Sequence, residues 1–183
     1  MASLCRVALV FVTLCSCLGC QITTSTIEGD DVIFVRTSDG LLRNPRLQAI
    51  VDLQVDRDAL GLAETLFATD PALRARAAFA LGSVQEPTTI SILVSRLQNE
   101  ENAAVRRDIA FAIGQLNNEA AVPVLVDALT RETQPDVRYR ILEALGKIGA
   151  TSASEALLSA DVLTGEEPLR VFALAVNGAV FNV

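Results

Sequence analysis

The sequence predicts an all-α fold, an α-solenoid of stacked antiparallel helix pairs, from three observations. First, one arginine and one glycine each recur with a step of 32 residues: Arg74, Arg106, Arg138 and Arg170, then Gly82, Gly114, Gly146 and Gly178. A fixed period of about 20–50 residues is the signature of a stacked repeat protein. Second, apolar residues inside each period recur at helical spacing. Third, the chain has no Trp and one Tyr, so its core is expected to consist of Leu, Ile, Val and Ala.

Residues 1–19 are predicted to be a signal peptide that lies outside the fold. Arg6 precedes an apolar run from Val7 to Leu18. This run is shorter than the roughly 20 apolar residues that a membrane-spanning helix needs, and it fits the apolar region of about 7–15 residues in a secretory signal. A plain secretory signal and a retained membrane anchor are alternatives, but the residues that end the segment favour a lipoprotein signal.

The end of this segment resembles a bacterial lipoprotein signal, in which a Leu and two small residues precede a Cys that carries the lipid. The letters LGC end at Cys20, although Cys17 stands where the pattern has Leu, and the letters LCSC end at Cys17 itself. The resemblance implies lipid attachment at Cys20, with Cys17 as the alternative. It also implies an exported, membrane-anchored lipoprotein, and Gln21 after the Cys implies the outer membrane, facing the periplasm.

Residue types that support catalysis and metal binding are scarce. All four cysteines lie within the first 20 residues, and the chain has no His. The usual general base, a thiolate nucleophile and most zinc sites are therefore missing after residue 20. Nucleotide-binding motifs and the nucleophile-elbow motif are also absent from the sequence. We therefore expect no catalytic residue, no cofactor site and no metal site.

The charge of the chain disfavours a nucleic-acid partner. Without Arg6 the chain carries 14 basic and 22 acidic side chains, a net charge of −8. Nucleic-acid binding relies on basic surfaces that neutralise phosphates. The expected partner is therefore a protein or peptide, and association with a membrane is expected to come from the lipid anchor.

The rest of the chain is predicted to divide into a tether, a cap and a series of repeats. Residues 20–44 form the tether, with a short strand at 32–35 and a turn at 38–40. The repeat domain covers residues 45–183. It consists of a degenerate cap of two shorter helices, three full repeats and a half repeat, at 45–69, 70–101, 102–133, 134–165 and 166–183.

Each repeat is predicted to begin with a helix that has one apolar face. In the first repeat the apolar positions are Leu73, Ala77, Ala80, Leu81 and Val84, and the next two repeats carry the equivalent pattern. Asp70 and Asn102 are predicted N-caps, and Pro71 and Pro135 fit the first helical turn. The repeating glycine lies near the helix end, where it either breaks the helix or allows close packing.

The second helix of each repeat is predicted to bury one face and to expose the other. The exposed positions are small, mildly apolar and nearly uncharged, which suits a bound peptide or helix better than a polyanion. We therefore predict a partner-binding inner face, with an inert solvated surface as the alternative. Its residues are Thr88, Ile92, Ser95, Asn99, Val124, Asp127, Arg131 and Ser159.

The pattern V-R-x-x-I-A-x-A-I-G-x-L at 105–116, followed by A-V-P-V-L-V-D-A-L at 121–129, resembles the HEAT-like repeats of the phycobilisome lyase type. The resemblance implies an α-solenoid in which an arginine ladder and carboxylates lock neighbouring repeats together. The predicted ladder is Arg74, Arg106, Arg138 and Arg170, with candidate partners Asp70, Glu101, Asp127 and Asp136. A binding site for a carboxylate or phosphate ligand is the alternative.

A second row is predicted to be a solvated outer face: Arg76, Asp108, Arg140 and Phe172.

Residues 169–176 are almost entirely apolar, whereas a terminal repeat normally needs a polar outer face. This end is therefore predicted to dock on a partner or on a second copy of the chain, through Phe172, Val176, Val180 and Phe181. The leading functional prediction is a non-enzymatic protein-interaction scaffold. The alternatives are a structural subunit of an oligomer or envelope complex that docks through this end, and a regulatory or lyase-like accessory factor.

Overall fold

The computed structural model describes residues 35–36, 42–159, 171 and 174–175. The chain divides into two compact units, Met1–Ala49 and Ile50–Val183. In the first unit, strand β1 (Val35–Arg36) pairs antiparallel with strand β2 (Leu42–Arg43), with Val35 opposite Arg43. The strand predicted at 32–35 therefore overlaps β1 at Val35, whereas residues 32–34 and the predicted turn at 38–40 lie outside the described residues.

Eight helices follow in the described part of the chain. Their bounds are α1 Pro45–Val55, α2 Ala59–Thr65, α3 Pro71–Val84, α4 Ile90–Asn99, α5 Ala103–Leu116, α6 Val122–Arg131, α7 Pro135–Ile148 and α8 Thr151–Ser159. Short 3-10 turns at Pro87–Thr89 and Glu119–Ala121 lead into α4 and α6. Residues 171 and 174–175 are also helical.

The helices pack as a row of pairs. The first helices α3, α5 and α7 each have 14 residues and lie side by side, and the second helix α4 packs on α5 as α6 does on α7. The second helices α4 and α6 also contact each other. This arrangement confirms the predicted all-α solenoid of stacked helix pairs.

The core consists of aliphatic side chains, as the composition predicted. The predicted apolar face of the first helix is buried at all five of its positions in α3 and in α7, and at four of five in α5, where Leu116 is only half-buried. Burial of this stripe is the main source of stability in a repeat array, because each helix pair is too small to form a core alone.

Polar side chains fix the beginnings of the first helices. The Asp70 carboxylate accepts from the backbone N–H of Ala72 at 2.8 Å, and the Asn102 side chain accepts from the N–H of Ala104 at 3.0 Å. Pro71 and Pro135 are the first residues of α3 and α7, where the missing N–H of proline has no helical partner to lose. The predicted caps and prolines are confirmed.

The repeating glycines are points of close packing within the first helices. A Cβ atom on Gly82 would lie 2.9 Å from Phe111 Cε1 and 3.0 Å from Ala112 Cα. A Cβ atom on Gly114 would lie 2.9 Å from both Cα and Cβ of Ala144. Both helices continue for two residues beyond the glycine. Of the two explanations for the glycines, close approach of neighbouring repeats is therefore the correct one.

The first helices end instead at residues with left-handed backbone conformation. These are Gln85, Asn117 and Gly149, with φ of 56°, 51° and 68°. The Gln85 side chain donates to the carbonyl of Gln115 at 3.4 Å. With its amide nitrogen facing the acceptors, the Asn117 side chain donates to the carbonyls of Lys147 (3.0 Å) and Ile148 (3.2 Å). Each of these two side chains thus supplies a donor to the last carbonyls of the next first helix, which have no partner within that helix.

Candidate functional site: three surfaces of the helix stack

The first candidate surface is the arginine ladder at the beginnings of the first helices. Arg74 donates from Nε and Nη2 to the Glu100 carboxylate at 2.9 and 2.8 Å, and from Nη1 to the carbonyls of Ala68 and Thr69, both at 2.9 Å. Its guanidinium therefore joins the loop before the repeat to the residue that directly follows α4, the second helix of the same repeat.

Arg106 repeats this arrangement one unit later. It donates to the Glu132 carboxylate at 2.7 and 3.1 Å, and to the carbonyls of Glu100 and Glu101 at 3.2 and 2.7 Å. Glu100 thus accepts from Arg74 through its side chain and from Arg106 through its backbone. The result is a continuous hydrogen-bonded chain across the boundary between two repeats.

Arg138 occupies the third position of the ladder and is buried. Its Nη1 donates to the carbonyls of Leu129 (2.7 Å) and Glu132 (3.1 Å), as Arg106 does to the preceding loop. Arg170, the fourth member, lies outside the described residues. The described arginines of the ladder are therefore engaged within the chain itself.

Glu100 is the most enclosed carboxylate of the ladder, with a side chain only 1 % exposed. Burial alone would raise its pKa. Hydrogen bonds from Arg74, from the backbone N–H of Asn102 and from Arg96 outweigh that effect, and the pKa of Glu100 lies below its ordinary value. The group is therefore a charged carboxylate held by donors of the chain.

Glu132 has the same balance of effects. Burial would raise its pKa, but hydrogen bonds from Arg106 and from the backbone N–H groups of Gln134 and Thr133 lower it below the ordinary value. A depression of about 220 Å³ lies between these two carboxylates. Each of its charged side chains is already ion-paired: Arg106 with Glu132, Glu100 with Arg74, and Arg131 with Asp127. This geometry leaves little attraction for an external anion.

Three of the candidate carboxylates, Asp70, Glu101 and Asp127, are not the side-chain partners of Arg74 and Arg106. The partners are Glu100 and Glu132, because the Asp70 side chain caps α3 and Asp127 pairs with Arg131 on the exposed surface of α6. Glu101 is exposed, and it contributes only its backbone carbonyl to the ladder. A signal for the true partners was present in the sequence, since Glu100 and Glu132 keep the 32-residue step and each follows its arginine by 26 residues.

The second candidate surface is the predicted inner face of the second helices, here called the second-helix row. It is defined by Thr88, Ile92, Ser95, Asn99, Val124, Asp127 and Arg131. Ile92 and Val124 are half-buried and the other five are exposed. Thr88 lies in the 3-10 turn before α4, and the other six lie on α4 and α6, which contact each other. Ser159, the last predicted member, ends α8, and its side chain lies outside the described part.

The polar groups of the second-helix row are largely satisfied by the chain. Arg131 forms an ion pair with Asp127 one turn earlier, and the Asn99 side chain donates to the Ser95 carbonyl at 2.8 Å. None of the described large apolar side chains that are strongly exposed belongs to this row. The surface therefore lacks large exposed apolar side chains and carries no net charge, as its composition suggested.

The third candidate surface lies on the exposed side of α3, α5 and α7. Phe79 and Phe111 stack with ring centroids 5.1 Å apart and planes inclined by 10°. Cationic groups cover the rings: Arg76 lies 5.6 Å from the Phe79 centroid, and Arg140 lies 5.5 Å from Phe111 and 5.7 Å from Tyr139. Lys147 Nζ lies 5.5 Å from the Phe111 centroid. We call these six residues the aromatic–basic cluster.

Carboxylates border the aromatic–basic cluster and partly neutralise it. Arg107 pairs with Asp108 at 2.8 Å, and Glu143 accepts from Arg140 at 2.7 Å and from Lys147 at 2.9 Å. Burial would raise the pKa of Glu143, but the hydrogen bonds from Lys147 and Arg140 lower it below its ordinary value. A depression of about 350 Å³ opens beside the rings, lined by Phe79, Arg107, Asp108, Phe111, Asp136, Tyr139 and Arg140.

The aromatic–basic cluster corrects the prediction of a plain solvated outer face. Arg76 and Arg140 do belong to this side, but each lies over an aromatic ring. Phe172, the fourth residue of the predicted row, lies outside the described residues. The signal that could have revealed the cluster is again the repeat, because Phe79 and Phe111 stand 32 residues apart.

The described residues contain no group of three or more His, Cys, Asp or Glu side chains that could hold a metal ion. Within the same part of the chain, no helix combines the length and apolarity needed to cross a bilayer. The predicted lipid attachment site at Cys20, its alternative Cys17, and the predicted docking residues Phe172, Val176, Val180 and Phe181 all lie outside the described part.

Two family models match the repeated part of the chain. The family described as HEAT repeats matches residues 90–170, and the family described as PBS lyase HEAT-like repeat matches residues 73–99. The two matches together run through all three full helix pairs. No curated protein matches the chain.

Proposed function

Because this chain belongs to the HEAT-repeat proteins, we propose that it is a scaffold that binds a protein or peptide segment and catalyses no reaction of its own. HEAT repeats commonly mediate protein interactions. The observation that carries the proposal is the second-helix row, an exposed and electrically neutral surface that continues from one repeat to the next on α4 and α6.

The chemistry of the second-helix row suits a partner that is itself a helix or an extended peptide. Thr88 and Ser95 are small and uncharged, so a partner backbone can approach closely without desolvating a buried charge. Ile92 and Val124 are half-buried and offer aliphatic contact at the base of the row. The pairing of Asp127 with Arg131 removes the net charge that would attract a polyanion.

A charge-matched pair of variants tests this surface. Thr88→Arg combined with Asp127→Arg places two bulky cations on the row. Glu64→Arg combined with Ser83→Arg makes the same change in net charge at exposed positions of α2 and α3. We expect the first variant to lose partners that are crosslinked in native membranes and identified by mass spectrometry, and the second to retain them. Retention of the same partners by both variants would show that the row is not the binding surface.

We further propose that the chain is an exported lipoprotein that is held at a membrane by acyl chains on Cys20 and faces the periplasm from the outer membrane. The apolar run that ends in the letters LGC supports this proposal. Metabolic labelling with a fatty acid tests it: Cys20→Ala should abolish labelling, and Cys17→Ala should not. If labelling is lost only in Cys17→Ala, the lipid is attached to Cys17. If the wild type takes up no label, the proposal of a lipid anchor is wrong.

The apolar segment at 169–176 supports a second candidate function, a structural subunit that docks through Phe172, Val176, Val180 and Phe181, either on an envelope complex or on a second copy of the chain. These docking residues remain a prediction. Sedimentation of the purified protein tests the homodimer, which should dissociate when Phe172 and Val176 are both changed to Ser. A wild type that stays monomeric at all concentrations would reject the homodimer.

The likeness to PBS lyase HEAT-like repeats supports a third proposal, a regulatory or lyase-like accessory role.

A further inference from the structure

We propose that the aromatic–basic cluster on α3, α5 and α7 is a docking site for an acidic peptide segment that carries one large apolar anchor side chain. This site lies on the first helices and is separate from the second-helix row, so it adds a second surface to the proposed scaffold. Three features of the described residues support it: exposed rings, oriented cations and a depression beside them.

The rings form an apolar shelf at the surface. Phe79 is 44 % exposed and stacks on Phe111, and Tyr139, which is 48 % exposed, lies on the next first helix. Exposed aromatic side chains that adjoin across neighbouring elements are typical of interaction surfaces, because their burial on binding releases a large apolar area. The adjoining depression of about 350 Å³ is large enough for one aromatic or branched aliphatic side chain.

The cations beside the shelf are held in place before any partner arrives. The Arg140 guanidinium lies between the rings of Phe111 and Tyr139 and donates to Glu143, which restricts its rotamers. Its side chain nevertheless remains 35 % exposed, and that of Arg107 remains 40 % exposed. A carboxylate of a partner can therefore accept charge-assisted hydrogen bonds from groups whose orientation costs little additional entropy.

The charge balance selects an acidic partner over a basic one. Arg107 and Arg140 line the depression against Asp108 and Asp136, so its wall is balanced in charge. Beside it, Arg76 and Lys147 lie over the rings against Glu143 alone, which leaves an excess of one positive charge in the described cluster. This local excess of positive charge stands on a chain whose net charge is −7. A basic peptide would be repelled by Arg76 and Lys147, which lie over the rings of Phe79 and Phe111.

The chain provides its own reporter for this site. Tyr139 is its single Tyr, and it has no Trp, so the intrinsic fluorescence of the full-length protein comes chiefly from a ring of the cluster. The probe is a capped peptide of sequence Asp-Glu-Asp-Phe-Asp-Glu-Asp, which adds no Tyr or Trp emission. The comparison probes are the same peptide with Gly in place of Phe, a peptide with Lys in place of every acid, and oligo(dT).

We expect the acidic Phe peptide to change the Tyr139 emission saturably, with an affinity that falls as salt is added. The Gly peptide should bind at least about fivefold more weakly, and the Lys peptide and oligo(dT) should give no saturation. Phe79→Ala and Arg140→Gln should each weaken binding of the acidic Phe peptide by about tenfold. The matched control is Arg131→Gln, which removes an exposed, ion-paired arginine from the second-helix row and should leave this affinity unchanged.

Several results would overturn the proposal. No saturable change with the acidic Phe peptide would do so, and so would stronger binding of the Lys peptide or of oligo(dT). Equal weakening by Arg140→Gln and Arg131→Gln would show that only overall charge matters. Far-ultraviolet circular dichroism shows whether each variant is folded. If Phe79→Ala or Arg140→Gln unfolds, Arg107→Gln is used in its place. The second-helix row is tested separately, by partner capture. The proposal for either surface can therefore be rejected while the other stands.

Discussion

Glu100→Ala removes the carboxylate on which two guanidinium groups converge at the end of α4. This carboxylate accepts from Arg74 Nε and Nη2 at 2.9 and 2.8 Å, from Arg96 Nη2 at 2.5 Å and from the Asn102 N–H at 3.0 Å. Its side chain is almost fully buried, so water can replace it as an acceptor only if the stack opens. Removing one partner of a buried ion pair costs about 3–5 kcal/mol, because the other charge is left without compensation.

The adjacent residue provides a matched control for this variant. Glu101→Ala makes the same change in charge one position away, at an exposed side chain, and keeps the backbone carbonyl that accepts from Arg106. An exposed substitution of this kind changes stability by about 0.5 kcal/mol or less. Glu100→Gln keeps the shape and part of the hydrogen bonding, so its loss should lie between those of the two alanine variants.

Urea unfolding followed by far-ultraviolet circular dichroism measures all three variants, since helix content gives a strong signal in this all-α chain. A total unfolding free energy of about 5–15 kcal/mol is typical of a single domain. Glu100→Ala should therefore lose a large part of the stability, and Glu101→Ala almost none. A loss below about 1 kcal/mol for Glu100→Ala, or equal losses for the two variants, would refute the structural role assigned to this carboxylate.

Three further predictions test other contacts of the stack. Gly114→Ala gains about 1 kcal/mol of helix propensity, but its Cβ would lie 2.9 Å from Ala144 Cα, and overpacking costs about 1–3 kcal/mol. Urea unfolding should therefore show a net loss of stability, and a stabilised variant would contradict close packing at this glycine. Folding lowers the pKa of Glu132, so this carboxylate stabilises the fold above about pH 4.3, and that contribution is lost as the pH falls through the folded pKa. Thermal melts of Glu132→Gln should therefore show a smaller loss of melting temperature in acid than the wild type, and the same dependence on pH in both proteins would reject this explanation. Asn102→Ala should cost about 1 kcal/mol, whereas Gln134→Ala, at an N-cap position without a side-chain hydrogen bond, should cost little, and equal losses would argue against capping by Asn102.

The sequence predicted the features that depend on local rules. The N-caps at Asp70 and Asn102 and the first-turn prolines were predictable because a helix leaves its first N–H groups unpaired wherever it begins. The buried stripe followed from the helical spacing of apolar residues. The 32-residue step then placed these local signals in register and predicted the solenoid.

The features that the sequence did not predict depend on which side chains meet between helices. Glu100 was not among the candidate ladder partners, but it follows the last residue of α4, where Arg74 reaches it from the first helix of the same repeat. The 32-residue step relates Phe79 to Phe111, but only the packing of α3 against α5 shows that their ring centroids lie 5.1 Å apart. Helical periodicity identifies the side of a helix that a residue occupies, but distances between helices decide which of those residues touch.

The left-handed residues that end the first helices have a consequence for where the stack opens. Gln85 and Asn117 each donate a side-chain hydrogen bond to the end of the following first helix, whereas Gly149 in the same position has no side chain to donate. Within the described residues, the side-chain linkage that fastens α3 to α5 and α5 to α7 is therefore not repeated at the end of α7. In a linear array, local unfolding starts where neighbouring units are least coupled. The last amides of α7 should accordingly exchange with solvent deuterium faster than those of α5.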